Sequence, residues 1–318
     1  MCASRRLLCF ATLMASCVAV MTREPMAARE QAAPILVNVA VTRAGAPVDG
    51  LAAADFVIRD SGVAQSAALV PPGTVPVSLL LAFDTSASVR GSALEDLKAA
   101  AHAAVAALGP RDEAALLTFS QNVTLRAGWT STRVALEQAI DGLTGQGLTA
   151  LSDGVLAALA MGGKPDTRRL VLFFTDGDDT SSWTSPPAIV QAARRSGAVI
   201  AAVTLDTPGH STAEITKLLE ARKPGDKFPG DVMSWMTLQP SLYRGALLPL
   251  LAIDTGGDMV RAADTVRLRT ALPALVTAFS RRYVLRYTPT GVAATGWHPL
   301  QIEVTNGGDV SARSGYWR

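Results

Sequence analysis

Eight residues, Val77-Ser78-Leu79-Leu80-Leu81-Ala82-Phe83-Asp84, constrain this chain more than any other stretch. A nearly unbroken apolar run stops at an aspartate, with no alternating polar positions to face solvent. Such a strand has both faces covered, as in the middle of a parallel sheet. Oxygen-bearing side chains then recur at every second position: Asp84, Ser86 and Ser88. In open α/β sheets the carboxyl ends of strands are where ligands bind. Oxygen-only donors suit a hard cation such as Mg²⁺ better than zinc or copper. Asp and Ser are also favoured helix N-caps, so the spacing alone leaves a capping role open.

The rest of the chain reads as an alternation built around that strand. Further buried strands are predicted at Ala114–Phe119, Leu170–Thr175 and Ala198–Thr204, with helices between them at Ala93–Leu108, Val134–Ile140, Leu151–Met161 and Ile189–Arg195. Strand–helix alternation of this kind predicts an α/β fold, a doubly wound, mostly parallel sheet with helices on both faces. Helices at Ala246–Ile253 and Leu272–Phe279 close this part. On either side the pattern is β. Residues 34–71 carry the period-two run Ile35, Val37, Val39, Val41 and a second strand at Phe56–Arg59. Residues 283–318 carry Tyr283–Tyr287, Leu300–Val304 and Val310–Ala312, with Thr305-Asn306-Gly307-Gly308 read as a hairpin turn between the last two. A lone hairpin is marginal in water, so the two flanks are expected to pair into one small β-rich module with the α/β domain, residues 75–282, inserted between them. Pro71-Pro72-Gly73 and Pro76 form the stiff edge. Residues 208–243 break the rhythm and read as an insertion, which in a compact domain is usually functional or mobile.

Composition narrows the function classes. Of 318 residues 49% are hydrophobic and 18% charged, so the chain is globular. A net charge of +2 with no basic run gives nucleic acid no footprint. Residues 1–28 read as a secretory signal peptide: Arg5 and Arg6 precede an apolar run, Leu7–Met21, that is short for a membrane span. The expected location is therefore exported, periplasmic or at the cell surface. All three cysteines lie in this segment. Met14-Ala15-Ser16-Cys17 resembles a bacterial lipobox, which makes a lipid anchor at Cys17 the alternative to plain export. Three histidines, His102, His210 and His298, stand apart without zinc spacing and read as surface residues. Gly145-x-Gly147-x-x-Ala150 matches a dinucleotide fingerprint in letters only, because it follows a helix and not a strand.

Two further oxygen donors fall where the topology brings them to Asp84. Thr149 opens a helix, and Asp176 ends a buried strand. With them the stretch Val75–Phe279 resembles a von Willebrand factor type A domain: Asp84-x-Ser86-x-Ser88, Thr149 and Asp176 match its metal-ion-dependent adhesion site in order. The β flanks resemble those of bacterial proteins related to that family. The resemblance implies a Rossmann-like fold, a Mg²⁺ ion (or Mn²⁺ or Ca²⁺) held by Asp84, Ser86, Ser88, Thr149 and Asp176, and no catalytic residues. It implies a protein partner offering an Asp or Glu to the cation. Gln121–Gly128, Asp178–Pro187 and Pro208–Tyr243 are read as loops that would supply the remaining contact area. Asp178, Asp179 and Trp183 lie in or beside the same region; Trp183 reads as a packing residue or a ligand contact. Two other functions compete. A haloacid-dehalogenase-type phosphohydrolase also starts from an aspartate after a buried strand, but it needs a second acid where this chain has Ser86. A structural module whose ion only stabilises the fold is the third.

Overall fold

The computed structural model describes residues 33–176, 179–205 and 247–318. The 1–28 segment with Cys17, the 208–243 insertion with His210, and Asp178 lie outside the described residues. The chain opens with β1 (Ile35–Arg43), β2 (Ala46–Pro47), β3 (Phe56–Asp60), β4 (Val63–Gln65) and β5 (Ala68–Val70). Next come β6 (Val77–Asp84), α1 (Ser92–Ala106), β7 (Glu113–Phe119), β8 (Val123–Thr130), α2 (Arg133–Asp141), α3 (Leu151–Ala160), β9 (Arg168–Thr175), α4 (Pro186–Ser196) and β10 (Val199–Leu205). Beyond residue 246 are α5 (Leu247–Thr255), β11 (Met259–Ala262), α6 (Leu268–Arg281), β12 (Tyr283–Tyr287), β13 (Trp297–Val304), β14 (Asp309–Ser311) and β15 (Gly315–Trp317).

The central sheet runs β11-β10-β9-β6-β7-β8. Every neighbouring pair is parallel except β7 with β8. The apolar run of β6 is explained by its place in the middle. Leu79, Leu81 and Phe83 enter one core with residues of α1, α2 and α6, while Leu80 and Ala82 enter the other with α3, α4 and α5. Strand alternation sends successive side chains to opposite faces, so a strand covered on both sides is apolar throughout. Each helix adds one apolar stripe; in α1 it is Leu97, Ala100, Ala101, Ala104 and Val105, at helical spacing. Pro186 and Pro187 start α4, and Gly197, at a left-handed φ of 69°, ends it. Among the described residues no helix is long and apolar enough to cross a membrane.

The flanks do pair with each other. β1 lies antiparallel to β12, with Ile35 opposite Tyr287 and Val39 opposite Tyr283. One sheet runs β14-β1-β12-β5, with β2 on the edge of β1; the other runs β15-β13-β3-β4. Val37, Val39 and Val41 from the first share a core with Ile58, Leu300 and Tyr316 from the second. Three sequence expectations need correction. The segment Gln121–Gly128, read as a loop, is largely β8, and Trp129 belongs to that strand. β8 is a half-exposed edge strand, so it lacks the apolar run that marks its neighbours. β11 was missed for the same reason: it is short, at the other edge, and mostly only half buried. The turn at Thr305–Gly308 does not close a hairpin, because β13 pairs with β3 and β15 whereas β14 crosses over to β1 in the other sheet.

A further correction concerns His298. It is only 1% exposed. Its Nδ1 lies 3.1 Å from Asp60 Oδ1, and Asp60 Oδ2 accepts hydrogen bonds from the hydroxyls of Tyr287 (2.9 Å) and Tyr316 (2.6 Å). Four strands, β3, β12, β13 and β15, thus meet at one buried carboxylate. A buried charge persists only when its lone pairs are taken. Burial alone would raise the Asp60 carboxyl, but the bonds from Tyr316, Tyr287, His298 and Ser61 outweigh it and hold the group below its ordinary range. The signal for this knot was absent from the sequence because its members are scattered between residues 60 and 316.

Joints between the sheets are made largely by arginines. Arg168, at the start of β9, donates to Asn38 Oδ1 of β1 at 2.6 Å and to the Ser280 carbonyl at the end of α6 at 3.2 Å. Burial, with the nearby Arg282 charge, lowers its guanidinium to about 10. Arg282 itself donates to the Gly256 carbonyl and, at 2.6 Å, to Asp258.

Asp60→Ala is expected to destabilise the protein by about 3 kcal/mol in urea unfolding, since two buried hydroxyls lose their acceptor at roughly 1–3 kcal/mol each. The sign of the pH effect follows from the lowered carboxyl. Its contribution is complete above the unfolded value near ~3.9 and is lost as pH falls through the lower folded value. The stability loss below about pH 4 should therefore be shallower in Asp60→Asn than in wild type.

Candidate metal centre

The carboxyl ends of β6 and β9 lie side by side, because these strands are parallel neighbours with Phe83 opposite Phe174. Asp84, the last residue of β6, is 0% exposed. Its Oδ1 accepts from the Ser86 amide at 2.8 Å, and its Oδ2 from the Thr175 hydroxyl at 2.7 Å. The first of these bonds turns the chain sharply, as Asp side chains do when they bond to the backbone two residues on. Ser86 Oγ then lies 3.1 Å from Ser88 Oγ, and Ser88 Oγ donates to Asp176 Oδ1 at 3.1 Å. Asp84, Ser86, Ser88 and Asp176 are thus linked through hydrogen bonds, with Thr175 as a fifth member that sequence reading passed over as part of a strand.

The capping alternative does not hold. α1 starts at Ser92, its N-cap position is Gly91, and no side chain caps it. Asp84 and Ser86 organise their own loop instead.

Thr149 reaches the cluster through its loop. Gln146 N donates to the Thr85 carbonyl (2.8 Å), and Ala87 N to the Gly147 carbonyl (2.9 Å). This close approach explains the glycines that imitate a dinucleotide fingerprint. A Cβ on Gly145 would sit 2.0 Å from the Val89 carbonyl oxygen, and Gly147 has φ +83°. Thr149 is 6% exposed. Its main-chain oxygen accepts from Thr180 N (2.9 Å) and Ser181 N (3.1 Å), and its amide donates to Thr180 Oγ1 (3.1 Å). The loop after β9 therefore covers it.

That covering loop is pinned by two further carboxylates. Asp179 accepts from Ser152 N at 2.9 Å and Ser182 N at 3.1 Å. Asp153 accepts from Thr184 N at 2.8 Å and Trp183 N at 3.1 Å. Asp179 satisfies one of the orphan amides in the first turn of α3, whose own N-cap residue, Ala150, has no side chain to do so. The acidic loop is thus partly structural.

Electrostatically the centre is strained toward neutrality. Burial raises the Asp84 carboxyl to about 6, and the charge of Asp176 adds to the rise, against the lowering bonds from Ser86 and Thr175. Asp176 is also raised by burial, despite the bond from Ser88. Two carboxylates and two serine hydroxyls at one sheet edge make a site that a positive charge would relieve.

A parallel β6/β7/β9/β10 sheet, helices on both faces and this hydroxyl-and-aspartate edge together define the von Willebrand factor type A class. Residues 79–178 match the family model described as the von Willebrand factor type A domain. No curated protein matches the chain. Among solved structures, the von Willebrand factor domain of the type V pili tip protein Mfa5 from Porphyromonas gingivalis is 23% identical, over 34% of this chain and 40% of that one, with a TM-score of 0.32. A von Willebrand factor type A protein from Catenulispora acidiphila is 11% identical over 91% and 74%, with a TM-score of 0.49. Proximal thread matrix protein 1 from the mussel byssus, with a zinc-occupied MIDAS motif, is 18% identical over 70% and 49%, with a TM-score of 0.47. The chain thus spans less than half the length of the pilus-tip and byssus chains.

Gly145→Ala is expected to force the Thr85–Val89 and Gly145–Thr149 loops apart. Overpacking of this kind costs about 1–3 kcal/mol, read as a lower urea midpoint, and the Ala87 and Gln146 amides should exchange faster. An unchanged midpoint with unchanged exchange would show that the loops do not meet as described.

Proposed function

We propose that this protein is an exported, metal-dependent protein-binding module, in which a divalent cation at the end of β6 captures an Asp or Glu of a partner. The observation that carries the reading is the cluster of Asp84, Ser86, Ser88 and Asp176, which runs from the buried Asp84 and Ser86 to the half-buried Asp176 and the exposed Ser88 and is joined through hydrogen bonds of 2.8 to 3.1 Å at the carboxyl edge of a parallel sheet. The donor set fits a hard cation: all four side chains offer oxygen. Ser86, Ser88 and Thr149 would hold the ion by their hydroxyls, with Asp84 and Asp176 as the charged members. The cation supplies a charge that attracts a carboxylate. Neutral hydroxyls leave it incompletely neutralised, so a partner's acid is a favourable further ligand. The 1–28 segment supports export, with Cys17 as the alternative lipid anchor.

The same geometry disfavours phosphoryl transfer. A nucleophilic aspartate must present an oxygen to its substrate, but Asp84 is fully buried and both its oxygens accept hydrogen bonds within the protein. The position where a phosphohydrolase needs its second acid is Ser86, whose hydroxyl lies against Ser88.

Mg²⁺ or Mn²⁺ at 100 times its Kd should stabilise the protein by about 2.7 kcal/mol, a rise in Tm of about 5 °C. Ser86→Ala combined with Ser88→Ala should abolish the rise; an equal rise in the double variant sinks the metal assignment. Thr149→Ala separates binding from folding. The bonds from Thr180 and Ser181 go to the main-chain oxygen of Thr149, which alanine keeps. Its Tm without metal should therefore change little, while an immobilised chain bearing it should lose most EDTA-released proteins retained from an envelope extract in Mg²⁺. Retention unaffected by both EDTA and Thr149→Ala contradicts the adhesion reading. Retention lost to neither, with the Tm response intact, would instead favour an ion that only stabilises the fold.

A further inference from the structure

Two large apolar side chains stand exposed beside the cluster. Trp183 is 96% exposed and Leu148 58%. Isolated exposed apolar residues are ordinary, but Trp183 differs in how its backbone is held. Its amide donates to both oxygens of Asp153, at 3.1 and 3.3 Å. The next amide, Thr184 N, donates to the same carboxylate, and the preceding one, Ser182 N, donates to Asp179. Burial alone would raise Asp153, yet the bonds from Thr184 and Trp183 outweigh it and hold the carboxyl below its ordinary range, so the clamp is charged at neutral pH. Three consecutive amides are therefore fixed while the side chain between them touches almost nothing.

The position is as telling as the exposure. Ser181 N bonds to the main-chain oxygen of Thr149, and Leu148 is the residue before it. Trp183 follows Ser181 by two residues, at most about 7 Å of extended chain. The tryptophan and the leucine thus both stand on backbone close to the threonine of the proposed cation site. Tryptophan is the residue most enriched at binding hot spots, and a backbone already ordered before binding lowers the entropy cost of using it.

We infer that Trp183 and Leu148 form an apolar rim to the cation site, and that the partner segment it selects carries a large apolar side chain next to the metal-bound Asp or Glu. This rests on the metal reading above. The cation accounts for the acid, and the rim for which acid is chosen. A single carboxylate contact is common to every acidic surface, so discrimination must come from neighbouring side chains. Asp153 acts as a positioning residue, through the backbone of Trp183 and Thr184 and not through the ligand.

The test uses the full chain in Mn²⁺ as bait for a phage-displayed library of random linear peptides, with binders eluted by EDTA. Selected peptides should share an Asp or Glu with Leu, Ile, Phe or Trp within two positions. Two synthetic forms of one selected peptide, with that apolar residue kept or replaced by Ser, are then measured by fluorescence anisotropy. Wild type should prefer the apolar form about tenfold. Trp183→Ala should bind both about equally, Trp183→Phe should restore most of the preference, and Asp153→Ala should reduce it, with the Mn²⁺-induced rise in Tm kept in all three. An enriched acid with no apolar neighbour, or a preference that Trp183→Ala leaves intact, overturns the rim while the metal reading stands. Apolar peptides without an acid, or no EDTA-eluted peptide at all, overturn both.

Discussion

The structure depends on the burial of one carboxylate. Asp84 ends a strand whose two faces are both covered, so it has no solvent to turn to. Its two oxygens must be satisfied locally, and the Ser86 amide and Thr175 hydroxyl do so. The first bond sets the turn that brings Ser86 and Ser88 together. The second ties the end of β6 to that of β9 and places Asp176 within reach of Ser88. A strand that ended on an apolar residue would need none of this. The arrangement is electrostatically unfinished, because burial and the proximity of Asp176 push the Asp84 carboxyl toward the neutral form. A protein that keeps two such acids together stores a preference for positive charge at that edge.

Around this core the chain makes a second, separate polar investment. Asp60 sits at the centre of the paired flanks and takes bonds from two tyrosines and a histidine. The two buried aspartates illustrate opposite outcomes of the same desolvation. Asp60 is given enough donors to stay ionised with ease, whereas Asp84 is not. The first pattern suits a fixed joint and the second a site that awaits a cation. Arg168 and Arg282 join the two parts through carbonyls, Asn38 and Asp258, so the flanks are anchored where α6 hands the chain to β12.

The loops of the site are ordered mostly by backbone hydrogen bonds and little by apolar packing. Gly145 allows the first two loops to touch, and Asp153 and Asp179 hold the third down. This leaves side chains at the rim free to vary in identity without disturbing the frame, which is how loops on a rigid scaffold come to carry function.

The sequence by itself marked the four parallel strands β6, β7, β9 and β10 with the helices between them, and it singled out five oxygen-bearing residues as candidates for the site. Those features are local: an apolar run that ends on an aspartate, helical stripes, and donors two residues apart. It also determined that the flanks had to pair, because neither could bury a core alone. Tertiary structure decided what depends on distant residues meeting or on which neighbour an edge lacks. β8 and β11 are edge strands without the two-faced apolar signature, and the crossing of β14 to β1 overrode a strong turn signal at Asn306-Gly307. His298 was read as a surface residue because nothing beside it in sequence reveals Asp60, 238 positions away. The burial of Thr149 has no signature in its neighbours along the chain, because the loop that covers it begins about thirty residues later and is joined to it through hydrogen bonds to its main-chain groups. Backbone bonds carry no residue-type signature, so burial that rests on them cannot be read from side-chain pattern.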